Sequence, residues 1–362
     1  MGIILRNNKT ITPSIVIEKI EKSDEWKPDA DMVWAKSVCE NDVQEGFQCK
    51  VLQMINNYYT YTDIVVPNNG AVKTSDGGYY TENVTHTWDD TNAKQSETGD
   101  YKLRWLIYYD NDNVSAVTNI LDNAMYTCLS NKKFDNLTFR SKQCLQYFDL
   151  INNAKFLGSS IGACFSGCFL LQSIPLFDIS GITDMSSMFF NCYSLQSIPP
   201  FDISSITDIS NAFNGCAVLK SIPLLDNGNL INLGNTFNGC STLQFIPFSD
   251  TNKTTRLANA FAGCFEIKAL NLNLINITSG WMQGQIMNRC INLEFLTLTN
   301  VKANINISYS TKYSRETLLG IINNLVDLTG QTAQILAMGA INLAKLTDED
   351  KQIAVNKNWS LN

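Results

Sequence analysis

Apolar residues in the middle of the chain recur with a period of 24 residues, far longer than a helix turn or a strand pleat. Phe165, Phe189, Phe213, Phe237 and Phe261 open the pattern, and three residues on stand Cys168, Cys192, Cys216, Cys240 and Cys264. Three further on come Leu171, Leu195, Leu219, Leu243 and Ile267, then Ile174, Ile198, Ile222, Ile246 and Leu270. Pro175, Pro199, Pro223 and Pro247 follow, and then Asp178, Asp202, Asp226 and Asp250. A fixed period of this length marks stacked units, because one unit cannot bury its apolar side alone. The spacing of Phe-x-x-Cys predicts one or two helical turns on one wall, and Leu-x-x-Ile predicts a strand on the other. Each Phe, Cys, Leu and Ile is expected against its copy in the next unit, about 4.8 Å away along a parallel sheet. The prolines end strand pairing because they lack an N–H. The aspartates accept backbone N–H groups and close turns.

Outside the repeats the pattern changes. Tyr101, Leu103, Trp105, Ile107 and Tyr109 alternate with Lys102 and Arg104, the period of a half-buried strand. Ser14 to Ile20, Met32 to Val38, Phe47 to Ile55 and Tyr58 to Val66 read as further strands, with turns at Ser75–Gly78 and Asp110–Asn113. Short strands with polar turns predict a β-sandwich of immunoglobulin-like size. Val114, Val117, Leu121, Met125 and Cys128 recur at helical spacing and predict a helix over the first repeat. After the repeats, Ser314 is the expected N-cap of a helix carrying Leu318, Leu319, Ile322, Leu325 and Val326 and stopped by Gly330. Ala333 to Leu343 reads as extended chain, and Thr347-Asp-Glu-Asp350 opens another helix through a capping box. The expected organisation is multidomain: a β-sandwich-like anchoring domain over 1–110, a capping helix and linker over 111–133, a repeat solenoid over 134–310, and a C-terminal cap over 311–362.

Composition narrows the class. With 44% hydrophobic and 17% charged residues the chain reads as ordered and globular. A net charge of −7 argues against a nucleic-acid surface, which needs clustered Lys and Arg. No run of apolar residues is long enough for membrane insertion. The opening Met-Gly-Ile-Ile-Leu holds only three consecutive apolar residues, too few for a signal-peptide core, so the expectation is either a protein made and kept in a cytoplasm or an incomplete sequence. The 11 cysteines would suit a disulfide scaffold, but their regular placement, with Cys144 before the series and Cys290 after it, reads as one small buried residue per unit. A metal centre wants close pairs with histidines, and the chain has 1 histidine.

The segment Leu293-Glu-Phe-Leu296-Thr-Leu298 resembles the strand of a leucine-rich repeat. Met188-Phe189-Phe-Asn-Cys192-Tyr-Ser-Leu195 resembles the core of the BspA-like surface proteins. That resemblance implies a leucine-rich-repeat α/β solenoid with helical caps, and a role in adhesion and recognition. The C-terminal run from Glu316 to Asn362 is similar to the ends of repeat-bearing virion proteins of gut Bacteroidota phages, including crAss-like phages. It implies a structural virion protein, a head or tail fibre or capsid decoration, assembled in the host cytoplasm. Its implied partners are other capsid or tail proteins, a second or third copy of itself, and a host-surface glycan or protein. The other readings are a secreted BspA-like adhesin and a polysaccharide-degrading tailspike.

Candidate chemistry is sparse. His86 sits in a Thr-His-Thr stretch and is expected exposed on a strand. Asp110 and Asp112 begin like a calcium loop, but the position for the bidentate Glu is Leu121. A calcium ladder on the aspartate column is disfavoured because no second acidic column accompanies it. No catalytic residue, cofactor site or metal site is expected, and the chain reads as a non-enzyme. The candidate binding face comprises the outward positions Gln172, Gln196, Lys220, Gln244, Lys268 and Glu294, which lack the aromatic hot spots of a tight interface.

Overall fold

The computed structural model describes residues 158–223, 229–246, 251–277 and 285–362 continuously, and before them a set of strands and turns between Ile4 and Phe156. Strands β1 (Ile4–Arg6) and β2 (Lys9–Ile11) form an antiparallel pair. Then come β3 (Gln48–Asn56), β4 (Tyr61–Ile64), β5 (Ala71–Thr74), β6 (Tyr79–Tyr80), β7 (Val84–Thr87) and β8 (Lys94–Gln95). They are followed by β9 (Tyr101–Tyr109), β10 (Ala124–Ser130), β11 (Lys133–Phe134), β12 (Tyr147–Ile151) and β13 (Lys155–Phe156). A 7-stranded sheet runs in the order β12-β10-β3-β9-β5-β6, with β8 also beside β9. Its longest pairing is antiparallel, from Gln48↔Tyr109 to Asn56↔Tyr101. Separate pairs are formed by β4 with β7 and by β11 with β13.

Two expectations change here. Met125 and Cys128, expected on a helix, lie on β10, which pairs antiparallel with β3 and parallel with β12. Two apolar residues three apart suit a helix face. The segment Ala-Met-Tyr-Thr-Cys-Leu-Ser also carries residues that favour strands, and neighbours on both sides take up its backbone groups. The sheet therefore continues to Ile151, past the expected boundaries at 110 and 133. Val114, Val117, Leu121 and the expected strands at 14–20 and 32–38 lie outside the described residues.

In the repeat region the hydrogen bonds follow the sequence period. In the unit of Cys216, the N–H groups of Asn211, Phe213 and Gly215 donate to Gly234, Thr236 and Asn238 of the next unit, at 2.9, 2.9 and 2.8 Å. The intervening N–H groups of Ala212, Asn214 and Cys216 donate three residues back within their own unit. Alternate residues thus look outward and inward. The same arrangement recurs from Ala163 to Gly263. It is a run of consecutive turns, not the expected one or two helical turns. The cause is backbone geometry: Ala163, Ser187, Asn211, Asn235 and Asn259 all have φ between 53° and 56°. Four residues later, Gly167, Asn191, Gly215, Gly239 and Gly263 are left-handed too. An α-helix needs φ near −63° throughout, so two left-handed residues per unit forbid it.

Two further ladders join successive units. Ser160, Asp184, Asp208, Asn232 and Arg256 are linked by parallel bridges, as are Ser221, Phe245 and Ala269. Full strands appear at the end of the series, where β14 (Ala269–Asn273) pairs in parallel with β15 (Phe295–Thr299). Between the ladders the side chains fill the interior. Phe139, Phe165, Phe189, Phe213, Phe237 and Phe261 stack with centroids 5.3–6.0 Å apart and ring planes within 17°. Phe148 of β12 packs edge-on against Phe165 at 5.1 Å, so the large sheet shares an apolar contact with the repeats.

The C-terminal part adds α1 (Arg315–Asn323), α2 (Ala340–Leu343) and α3 (Asp348–Asn356), with a parallel sheet of β16 (Ile305–Asn306), β17 (Gln334–Ala337) and β18 (Trp359–Leu361). The N–H of Thr317 donates to Ser314 Oγ, which caps α1. This helix ends at Asn324, before the expected stop at Gly330, where Lys357 Nζ donates to the carbonyls of Ile322, Asn323 and Leu325. The stretch expected to be extended from 333 to 343 divides into β17 and α2. Thr347 and Asp350 form a reciprocal capping box, and Arg315 grips the same carboxylate through two hydrogen bonds of 2.8 and 2.7 Å.

The backbone geometry gives a first prediction. Asn235→Ala should destabilise the protein by about 1 kcal/mol, because alanine resists the left-handed region. Asn235→Gly should stay within roughly 0.5 kcal/mol of wild type, as read by denaturant unfolding of both variants. A second prediction concerns acid. The Thr347 N–H, and then Arg315, hold the Asp350 carboxyl below its ordinary 3.8. Its stabilisation is complete above that value and disappears as pH falls through the depressed folded pKa. The Tm gap between wild type and Asp350→Asn should be present at pH 7 and close in strong acid.

Candidate functional site

The outward row is built by the ladder of units. Gln196 N–H donates to the Gln172 carbonyl at 3.0 Å, Gln244 to Lys220 at 3.3 Å, Lys268 to Gln244 at 3.2 Å and Glu294 to Lys268 at 2.9 Å. These backbone bonds hold Gln172 beside Gln196, and Lys220 through Glu294, in register. Lys220, Gln244 and Lys268 are exposed, whereas Gln172, Gln196 and Glu294 are half-buried. The row is polar and mixed in charge, and so suited to hydrogen-bonding contacts.

Behind it, Phe165, Phe189, Phe213, Phe237, Phe261, Cys168, Cys192, Cys216, Cys240 and Cys264 are buried. Leu171, Leu195, Leu219, Leu243, Ile174, Ile222 and Ile246 are buried with them, and Ile198 is half-buried against the same core. Every thiol of the periodic series has a hydrogen-bond acceptor. Cys192 Sγ donates to the Phe165 carbonyl at 3.1 Å, Cys216 to Phe189 at 3.2 Å, Cys240 to Phe213 at 3.1 Å and Cys264 to Phe237 at 3.1 Å. Cys168 and Cys290 do the same toward Phe139 and Phe261. Each of these phenylalanine carbonyls lies in the interior, where an unpaired acceptor is costly. Those from Phe165 to Phe261 also accept an N–H from the cysteine of their own unit. The thiols therefore contribute polar pairing as well as volume. Burial pushes Cys168 and Cys290 up to about 12 and the other thiols of the series well above their ordinary value. They stay protonated at neutral pH, whereas nucleophilic attack and metal ligation need the thiolate.

Two polar features escape the sequence pattern. Against the expectation of no second acidic column, Asp184 and Asp208 follow Asp178 and Asp202 at the same 24-residue period and bridge each other. Their Oδ1 atoms accept the N–H of Ser186 and Ser210 at 2.8 Å. Asp178 and Asp202 do the same for Ser180 and Ser204, as turn-closing carboxylates. Among the described residues no three potential ligands cluster for a metal ion.

His86 was expected exposed and is buried. Its Nε2 is 2.8 Å from Asp76 Oδ2 and its Nδ1 is 2.7 Å from Tyr80 Oη. Alternation places Thr85 and Thr87 outward and turns His86 inward, beneath the hairpin. The Asp76 carboxylate and the Tyr80 hydroxyl thus each engage one ring nitrogen. Burial would raise the Asp76 pKa, but hydrogen bonds from Thr74, the Asp89 N–H and His86 outweigh it and lower the value. The arrangement ties β5, β6 and β7 together, with the tyrosine hydroxyl already engaged by the histidine.

The thiol geometry predicts a labelling pattern. Native protein treated with a bulky disulfide reagent should leave Cys168, Cys192, Cys216, Cys240, Cys264 and Cys290 unmodified when mapped by mass spectrometry, and all should react after unfolding. Modification in the native state would contradict the buried ladder.

Comparison with known proteins adds one partial likeness. A search of curated proteins found no match to the chain. Residues 159–276, about a third of the chain, are similar to a family described as a Mycoplasma protein of unknown function, DUF285.

Proposed function

We propose that the chain is a structural, non-enzymatic protein of a bacteriophage virion, a head or tail fibre or capsid decoration. In this reading the units of 134–310 form a BspA-like leucine-rich-repeat solenoid, and the β-rich N-terminal part is the sandwich-like anchor on the particle. The observation that carries the proposal is the ladder of backbone bonds that joins each unit to the next from Ala163 to Gly263. Such a ladder gives a stiff body of fixed pitch, which suits a spacer. The similarity of the C-terminal run to phage virion proteins supports the particle. The regular outward row supports contact with a host-surface glycan or protein. Fibres on symmetric particles are commonly homo-oligomers, and a homodimer or homotrimer is proposed.

A second reading, a bacterial cell-surface adhesin, is favoured by the likeness of residues 159–276 to a family named for a cellular bacterium. One experiment separates the two. Antibody raised against the full chain should label phage particles purified from the source culture in electron micrographs. Labelling of phage-free bacterial surfaces with bare particles would establish the adhesin and remove the virion proposal. Because the 7-stranded sheet reaches Ile151, a truncation at residue 110 would cut that sheet, and the intact chain is the proper antigen.

A further inference from the structure

The residue before each periodic cysteine is left-handed: Gly167, Asn191, Gly215, Gly239 and Gly263, and then Arg289 with φ 64°. Glycine and asparagine enter that region readily, and a long side chain does so at a cost. Arg289 holds the position nonetheless. Its side chain is exposed, with the guanidinium carbon 5.2 Å from the centre of the Phe265 ring in the preceding unit. Acidic residues outnumber basic ones, 34 to 27, yet this guanidinium makes no ion pair among the described residues. By contrast Arg315 is clamped on Asp350. Ile291, two residues on, is 52% exposed. Lys268 is exposed three residues beyond Phe265.

We infer that Arg289, Phe265 and Ile291 form a subsite for a carboxylated sugar, a hexuronate unit of an acidic polysaccharide. The planar guanidinium, propped on an aromatic ring and in no ion pair among the described residues, presents its donor fork to a carboxylate. The exposed isoleucine and the ring edge offer apolar contact to the C–H face of a pyranose. The inference rests on the host-surface reading for its choice of a sugar. The carboxylate chemistry rests on Arg289 alone. Glu266, exposed beside Phe265, opposes an anionic ligand and sets a ceiling on affinity.

The test uses the full chain and trigalacturonate, with maltotriose as the neutral control, in titration calorimetry. Wild type should bind the acidic trimer and not the neutral one, more weakly as salt rises. Arg289→Gly should weaken binding by roughly 10- to 100-fold, the size of a lost charge-assisted pair. Its Tm should stay within about 4 °C of wild type, because relief of the left-handed arginine offsets the lost ring contact. Glu266→Gln should tighten binding. Absence of binding by wild type, equal binding by Arg289→Gly, or equal affinity for hexaglutamate would each overturn the inference. Adhesion of the labelled chain to host cells separates the two proposals. Adhesion that survives Arg289→Gly keeps the host-surface reading and removes the subsite. Absence of adhesion by a wild type that still binds the trimer removes the reading and keeps the subsite.

Discussion

Half of the turn backbone in each unit cannot be satisfied by that unit. The N–H groups of Asn211, Phe213 and Gly215 find acceptors only in the following unit, and a buried donor without a partner costs as much as a lost hydrogen bond. Everything else in the repeat region follows from this dependence. The units must stack in strict register, the phenylalanine rings must superpose, and each thiol must meet the phenylalanine carbonyl of the preceding unit. Both ends must be closed by something other than a repeat. At the far end, Ser310 Oγ donates to the carbonyls of Ile291 and Leu293, as Thr242 Oγ1 does to Ala217 and Leu219. Thus the cap begins by imitating a unit and then departs from it.

The period, the identity of the stacking residues and the turn-closing role of Asp178 and Asp202 were legible in the sequence, because each is a matter of one residue type at one spacing; Asp226 and Asp250 lie outside the described residues. The conformation of the Phe-x-x-Cys wall was harder. Three-residue spacing is shared by a helix and by consecutive turns. The deciding signal was the pair of columns running from Ala163 to Asn259 and from Gly167 to Gly263. Asparagine followed four residues later by glycine, as in Asn211 and Gly215 or Asn235 and Gly239, marks two left-handed positions. Arg289 carries no local signal, because its position is distinctive only in register with the glycines of the other units.

The N-terminal part was less legible. A nine-residue strand such as β9, whose first five residues alternate, announces itself, whereas β10 carries two apolar residues at a spacing that also fits a helix. Partners 20 or more residues away settle the matter, as Tyr126↔Tyr147 shows, and local pattern does not contain them. His86 illustrates the same limit. Its immediate neighbours are polar and exposed, and only the return of the chain from Asp76 through Tyr80 supplies the two groups that make burial tolerable.

The protonated sulfurs have a consequence for where such a chain can work. Seven cysteines, from Cys164 to Cys290, are buried and take part in no disulfide, so among them there is neither a cross-link for a reducing environment to sever nor an accessible thiolate for an oxidising one to attack. Folding inside a reducing cell and lasting service in oxidising surroundings would ask nothing different of these seven residues.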